Sequence, residues 1–413
     1  MTRSAEVRSG SIAGEVLNSG IRIVARCVES TSVDVVVVDY EVGIRDEEPG
    51  QRGLAHLCEH LMFDQSKDGE THLQAVTALG GMANAMTRLD HTVFVNATPR
   101  GRLRQVLRLE RSRMVGPCLD QAHLDRERDV VRNEVSDRMG NLPYGSFPWS
   151  QLAQHCFGDW VHAHNDDGTF DDLDAVDVET AAQFHARYYR PDNALIYVAG
   201  DKSTNDLLAL ARDIFRDIPL PVAPLVRQPG RYMATPVASA GSYPDPLIQR
   251  PAVAFGYLTS PYASAEFVSE VALAGAMNAL LSSRSARGFT PRAYTGLMNA
   301  DGLAVRDPNV LVIELDGTAG EGAKTLSGLC AEVASLDDGE LLRLVARGRL
   351  DIARSWQWWG GRAMTEASAA LLTGDPSGLD LIWDRLEHAS PHGIRAALQR
   401  LSTAEAGLVE VRP

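Results

Sequence analysis

The chain has 413 residues, 45% hydrophobic and 23% charged, a composition that excludes a disordered protein and suits two domains of about 200 residues. Its 40 Lys and Arg against 54 Asp and Glu leave a net charge of −14, which argues against a dedicated nucleic-acid binder because phosphates demand concentrated positive charge. No apolar run reaches the roughly 18–20 residues of a membrane span, and none follows Arg3 as a secretion signal requires, so no membrane partner is expected. Cys27, Cys58, Cys118, Cys156 and Cys330 are odd in number and form no CxxC pair. Free thiols in a reducing compartment, hence a cytoplasmic location, are the expectation.

Taken in order, the chain first offers a strand over 21–24, after the turn signal Asn18-Ser19-Gly20, and a β-branched strand over 33–42. A loop over 45–50 leads to a helix over 53–63. A second helix over 71–79 should stop at Gly80-Gly81, since glycine readily takes the left-handed conformation that ends helices. A strand at 93–97 precedes helices over about 100–115, 120–139 and 177–189, a turn at 189–193 and a buried strand at 195–198. Prolines then crowd the stretch 219–251, where they remove backbone donors and predict a linker with at most edge-strand character. Beyond it the layout repeats: a strand at 253–257, an Ala-rich helix over 264–281, a glycine-punctuated middle and a strand at 310–315. The expected fold class is α+β, with an N-terminal domain at 1–218, the linker at 219–251 and a similar C-terminal domain at 252–413.

Chemistry concentrates in His56-Leu57-Cys58-Glu59-His60. On a helix, positions 56, 59 and 60 share one face. Imidazoles at i and i+4 can reach one divalent ion, and a carboxylate between them lies beside any water that ion holds. Zinc suits nitrogen ligands and keeps an open position in hydrolases, and the pattern His-x-x-Glu-His is an inverted zincin signature. Cys58 lies about 200° around the helix from His56 and is expected to pack inward. Further on, Glu127 and Glu134 stand two helical turns apart and share a stripe. Glu134 is a candidate third ligand, and Glu127 a candidate to orient a ligand histidine or the water. The bland alternative for that segment is an exposed helix of Glu/Arg pairs.

Residues 43–66 resemble the zinc-site region of the pitrilysin/insulinase-type metallopeptidases, a family that includes the mitochondrial processing peptidases and short bacterial relatives. The distance from His60 to Glu134, the earlier Glu127, the segment Gly80-Gly81-Met82-Ala83-Asn84-Ala85-Met86-Thr87 and the strand from Tyr189 to Asp201 follow the family's order. The likeness covers 15–215. It implies two homologous half-domains with mixed, mainly antiparallel sheets covered by helices, and a zinc-dependent endopeptidase with one Zn2+ per chain. His56, His60 and Glu134 would be the ligands, Glu59 the general base, and Asn84 and Ala85 the start of an edge strand that pairs with an extended peptide. In the second half, Arg287 and Tyr294 resemble an arginine and a tyrosine that bind the substrate carbonyl in active relatives. Thr290-Pro291-Arg292-Ala293-Tyr294 departs from the family's Arg-Gly-Leu-Ala-Tyr, so Tyr294 has either an oxyanion role or a packing role.

The implied substrates are short or unfolded peptides, with leader or propeptide processing among the options, cleaved in a clamshell chamber that two such chains would form. The resemblance allows a homodimer or a heterodimer with a zinc-less paralogue; the loose Arg287/Tyr294 block favours the heterodimer. The rival reading is a non-catalytic or partner subunit of a processing-peptidase-like complex. His162 and His164 are expected in a polar loop rather than a second metal site. Trp356, Trp358 and Trp359 are expected in the core, or at a domain or dimer contact.

Overall fold

The computed structural model describes residues 11–63, 66–67, 70–116, 119–164, 170–227, 230–231, 233–262, 264–282, 289–297, 303, 306–358 and 360–413. The first half runs β1 (Ile12–Val16), β2 (Arg22–Cys27), β3 (Val33–Tyr40), α1 (Leu54–Phe63), the short pair β4 (Ser66–Lys67) and β5 (Glu70–Thr71), α2 (His72–Ala78), β6 (Met82–Thr87) and β7 (Thr92–Pro99). Helices α3 (Leu103–Val115), α4 (Gln121–Gly140), α5 (Trp149–Cys156), α6 (Trp160–Ala163), α7 (Phe170–Ala175) and α8 (Val178–Tyr188) follow, then β8 (Ala194–Gly200) and α9 (Thr204–Phe215). The second half holds β9 (Ala240–Pro244), β10 (Ala252–Leu258), α10 (Ala265–Ser282), β11 (Arg292–Thr295) and β12 (Val310–Asp316). It closes with α11 (Ala319–Ser335), α12 (Asp338–Ser355), α13 (Gly361–Thr373), α14 (Gly378–Glu387), α15 (Pro391–Thr403) and β13 (Gly407–Arg412). The fold class is α+β, as expected: two mainly antiparallel sheets covered by helices. Gly80, at φ +76°, ends the α2 segment in the left-handed region that favours glycine.

The first sheet has the order β1-β2-β8-β3-β7-β6 and the second β11-β12-β10-β13-β9. Read from the other end, β9-β13-β10-β12-β11 matches β2-β8-β3-β7-β6 strand for strand. Even the single parallel pair recurs, β2 with β8 and β9 with β13. The repeat seen in the sequence as layout is thus one of topology and strand direction. Strand β9 lies inside the proline-rich stretch and pairs at the edge of the second sheet, where a ladder can spare donors.

Both sheets are buried on both faces, which is why β3 and β8 read as near-continuous apolar runs. Val36 and Val38 face a core built with α1, α3, α8 and α9, whereas Val35 and Val37 face Met364, Ala367, Ala370 and Leu371 of α13. The second sheet is covered on one face by α10, α11, α14 and α15, and on the other by Leu152, Ala153 and Cys156 of α5. Each half therefore lends a helix to the other half's sheet. In the second half, α10 and α12 cross closely enough that a Cβ on Gly348 would lie 2.5 Å from Gly275 Cα, so glycine is required there.

Buried charges lock the exchanged helix α13 in place. Arg26 of β2 donates to Glu366 at 2.7 Å and to Asp380 at 2.6 Å; Tyr197 of β8 also donates to Glu366, and Ser368 donates to Asp39 at 2.8 Å. Arg26 and Glu366 are both almost fully buried, and a buried ion that loses its partner is costly. Replacing Glu366 with Ala is expected to destabilise the protein by about 3–5 kcal/mol. A lowered denaturant midpoint for Glu366→Ala checks this; an unchanged midpoint contradicts it.

Candidate metal centre

The centre begins at the N-terminus of α1. Glu47, fully buried, accepts from the Ala55 N–H at 2.8 Å and the Gly53 N–H at 3.2 Å, satisfying donors that the first helical turn leaves open. Burial pushes its carboxyl up, opposed by His164, whose Nε2 lies 3.3 Å away, and by those two amides. Leu54, Leu57, Cys58, Leu61 and Met62 then bury one side of the helix. Fixed on that side, α1 holds His56 and His60 at the rim of the core.

Helix α4 supplies the opposing carboxylates. Asp120 caps it by accepting from His123 N–H, and Leu124, Val131 and Val135 anchor it in the core that also takes α1. Glu134 Oε2 stands 3.7 Å from His56 Nε2 and 3.6 Å from His60 Nε2, which are themselves 3.3 Å apart. Glu127 Oε2 lies 3.7 Å from the other ring nitrogen, Nδ1 of His60. The sequence-expected set of His56, His60, Glu134 and Glu127 therefore converges from two helices.

The donor set fits zinc. Two ligands about 2.0–2.1 Å from a tetrahedral ion lie about 3.3 Å apart, the spacing of the two Nε2 atoms. His56, His60 and Glu134 are a group that can hold one metal ion, their ligand atoms lying within 4.8 Å of one another. Three protein donors leave a fourth position for water. Glu127 takes the place of a carboxylate that fixes a ligand imidazole through its second nitrogen. Electrostatics agree: burial alone would lower the His60 imidazole, yet the neighbouring carboxylates of Glu127, Glu134 and Glu59 raise it to about 10. Burial lowers His56, and the neighbouring His60 imidazole draws the Glu134 carboxyl down. The space between these groups attracts positive charge.

Glu59 shares the cleft and is held there: the Thr87 hydroxyl donates to its Oε2 at 2.7 Å. Thr87 ends β6, the strand at the open edge of the first sheet, and Asn84 and Ala85 line the same cleft of about 620 Å3. Sequence reasoning assigned no role to Thr87, Glu47, Arg138 or Trp149. Period-two alternation places Thr87 on the face of Ala85, a legible signal; Trp149, brought in by α5, carried none.

The remaining expectations divide. Arg287 lies outside the described residues. Tyr294 on β11 donates to Glu314 at 2.5 Å and accepts from Trp149 Nε1 at 3.3 Å, and Trp149 in turn lines the cleft. Burial, then the Glu314 charge, hold its hydroxyl well above the ordinary value, so it stays a neutral donor. Cys58 is buried with its thiol pushed up by burial, facing the Ala181 carbonyl and not the cleft. His162 is tied to Asp159 at 2.6 Å and to the Arg231 carbonyl, and His164 to the Ile44 and Trp160 carbonyls while stacking on Trp160. Both are buried structural histidines, not loop residues facing solvent. Trp356 packs on Trp383 at 4.8 Å, Trp358 is 38% exposed, and Trp359 lies outside the described residues.

Two family profiles match the chain: "Insulinase (Peptidase family M16)" over residues 23–142, which includes the whole metal group, and "Peptidase M16 inactive domain" over residues 175–303. Zinc protease PqqE of Helicobacter pylori is 30% identical over 206 residues, covering 49% of this chain and 46% of that protein. An uncharacterized zinc protease of Mycobacterium leprae is 31% identical over 240 residues, 57% of this chain and 51% of its own. The chain spans about half the length of the curated relatives it matches. Among solved structures, a protease from Helicobacter pylori superposes with a TM-score of 0.84 at 20% identity, over 98% of this chain and 100% of that one. A peptidase M16 inactive domain from Pseudomonas fluorescens gives 0.78 at 17% identity, over 98% of each chain. At these identities the structural likeness is one of fold.

Two substitutions on α4 separate ligand from support. Glu134→Ala is expected to abolish stoichiometric zinc binding, whereas Glu127→Gln should keep one zinc and weaken its affinity by about 10–100-fold. Competition titration against a chelator measures both. One tightly held zinc in Glu134→Ala would remove that residue from the ligand set.

Proposed function

The chain belongs to the pitrilysin/insulinase-type (M16) peptidase family, and we propose that it is a zinc-dependent endopeptidase acting on short or unfolded peptides. One observation carries this reading: a carboxylate that is not a ligand, Glu59, sits in the same cleft as the His56/His60/Glu134 group, beside an open strand edge.

His56, His60 and Glu134 would hold the ion, and Glu127, facing the Nδ1–H of His60, would orient that ring and keep Nε2 available. Zinc bound there supplies Lewis acidity and lowers the pKa of water to about 7. Glu59 takes the proton released as water attacks the scissile carbonyl and returns it to the leaving amine. Thr87 fixes one oxygen of that carboxylate. Strand β6 offers backbone groups to an extended peptide with little demand on its sequence, which suits unfolded substrates, leader and propeptide segments included.

The Tyr294 hydroxyl is committed to Glu314, and this favours a chamber completed by a second chain that presents its own donors to the substrate carbonyl. We therefore place the chain in a dimeric clamshell, with a zinc-less paralogue preferred over a second copy. The same commitment supports the reading as a partner subunit if the chain alone is inert. The free thiols at Cys27, Cys58, Cys156 and Cys330 and the acidic composition support a cytoplasmic location. Among the described residues no helix is long and apolar enough to cross a membrane.

Glu59→Gln is expected to retain zinc and lose about 10²–10⁴-fold in turnover of an unfolded peptide. Turnover at the parent rate would refute Glu59 as the base. Assaying the chain alone and with a co-expressed paralogue tests the assembly: activity only in the mixture is expected, and full activity of a monomer contradicts it.

A further inference from the structure

Strand β6 has two faces that do different things. Ala85 packs into the α1 side of the sheet and Thr87 reaches Glu59 there, whereas Met86 packs on the α13 side. On that second side lies a cavity of about 550 Å3 between the two halves of the chain, within the size range of small-ligand pockets. It takes Asn84 and Met86 from β6 and Arg88 from just beyond it, alternate residues of the chain, and the same three line the metal cleft. Its walls are largely apolar: Val93 from β7, Val271 from α10, Met364 from α13, and Trp356 and Trp358 from the turn after α12.

We propose that this cavity is a selectivity pocket for a bulky apolar or aromatic side chain of the bound peptide. The proposal rests on the peptidase reading above. The argument is one of alternation. A peptide paired along the free edge of β6 continues the pleat of the sheet, so its successive side chains point to opposite faces. Side chains of one parity enter the cleft on the α1 side with Glu59. Those of the other parity meet the space beyond Asn84, Met86 and Arg88, walled by two indoles, a thioether and two valines. Such a lining rewards a large apolar group with lost water-exposed area. Selectivity falls on alternate substrate positions, and a residue from each half of the chain contributes to it.

The test uses short peptides in which each position is in turn Gly, Asp, Leu or Trp, read in two ways. Cleavage of the set by the full-length, zinc-loaded protein gives kcat/KM at each position, and calorimetry with the Glu59→Gln protein gives binding without turnover. At one position the expected preference for Trp or Leu over Gly is about tenfold or more, and the positions on either side lack it. Ser355→Phe and Ala274→Leu, which fill the cavity from α12 and from α10, are expected to bring that ratio to within about twofold of unity. A ratio that survives both fillings, or equal treatment of all side chains at every position, overturns the proposal. If no peptide is cleaved but the Glu59→Gln protein still discriminates bulk at alternate positions, the pocket stands and the peptidase reading falls.

Discussion

The site depends on how α1 is gripped between a buried sheet and a buried carboxylate. Leu54, Leu57, Cys58, Leu61 and Met62 each remove apolar surface from water, worth about 1.5–3 kcal/mol for a large side chain. Glu47 fixes the first turn by accepting two backbone amides. With translation and rotation of the helix thus set, His56 and His60 have one place to go: the rim facing Glu134 and Glu127. Three carboxylates and two imidazoles in so small a volume repel or attract according to the charge between them. The upward pull on His60 is what those carboxylates do to an imidazolium despite its burial.

A second constraint sets where the cleft opens. Sheets covered on both faces need helices on both faces, and each half of this chain borrows one of its covers from the other half. The exchange leaves β6 and β11, the corresponding end strands of the two sheets, lining the space between the halves. The same exchange brings Trp149 of α5 to the metal cleft and couples it through Tyr294 to Glu314 in the second sheet. Arg26, Glu366 and Asp380 fasten the reciprocal contact with charges whose separation the protein interior penalises.

Much of the centre was legible because it is local. His56, Glu59 and His60 share a face by helical period alone, and Glu127 and Glu134 by two full turns, so both stripes could be drawn before any fold was known. That they meet is a tertiary fact, which the family resemblance supplied. The β-branched and apolar runs of the first-half strands and the Gly80 stop were equally visible. The region from 319 to 412 was not: it holds five helices and the strand that completes the second sheet, and its amphipathic stripes gave no motif to anchor a reading. Trp149 escaped because its importance lies in Tyr294, which it touches across a long sequence separation, and Glu47 because a carboxylate folding back onto helix amides six and eight residues on has no motif of its own. The histidines at 162 and 164 looked like loop residues from their polar neighbours, yet both rings are buried and bonded to backbone carbonyls.

The central claim is that two imidazoles and one carboxylate of this chain together hold a zinc ion. X-ray absorption spectroscopy of the stoichiometric zinc protein tests it most directly. The account predicts a shell of nitrogen and oxygen scatterers at about 2.0–2.2 Å, with the multiple-scattering pattern of two imidazoles. A sulfur scatterer at about 2.3 Å, which would bring Cys58 or another thiol into the coordination sphere, would contradict it.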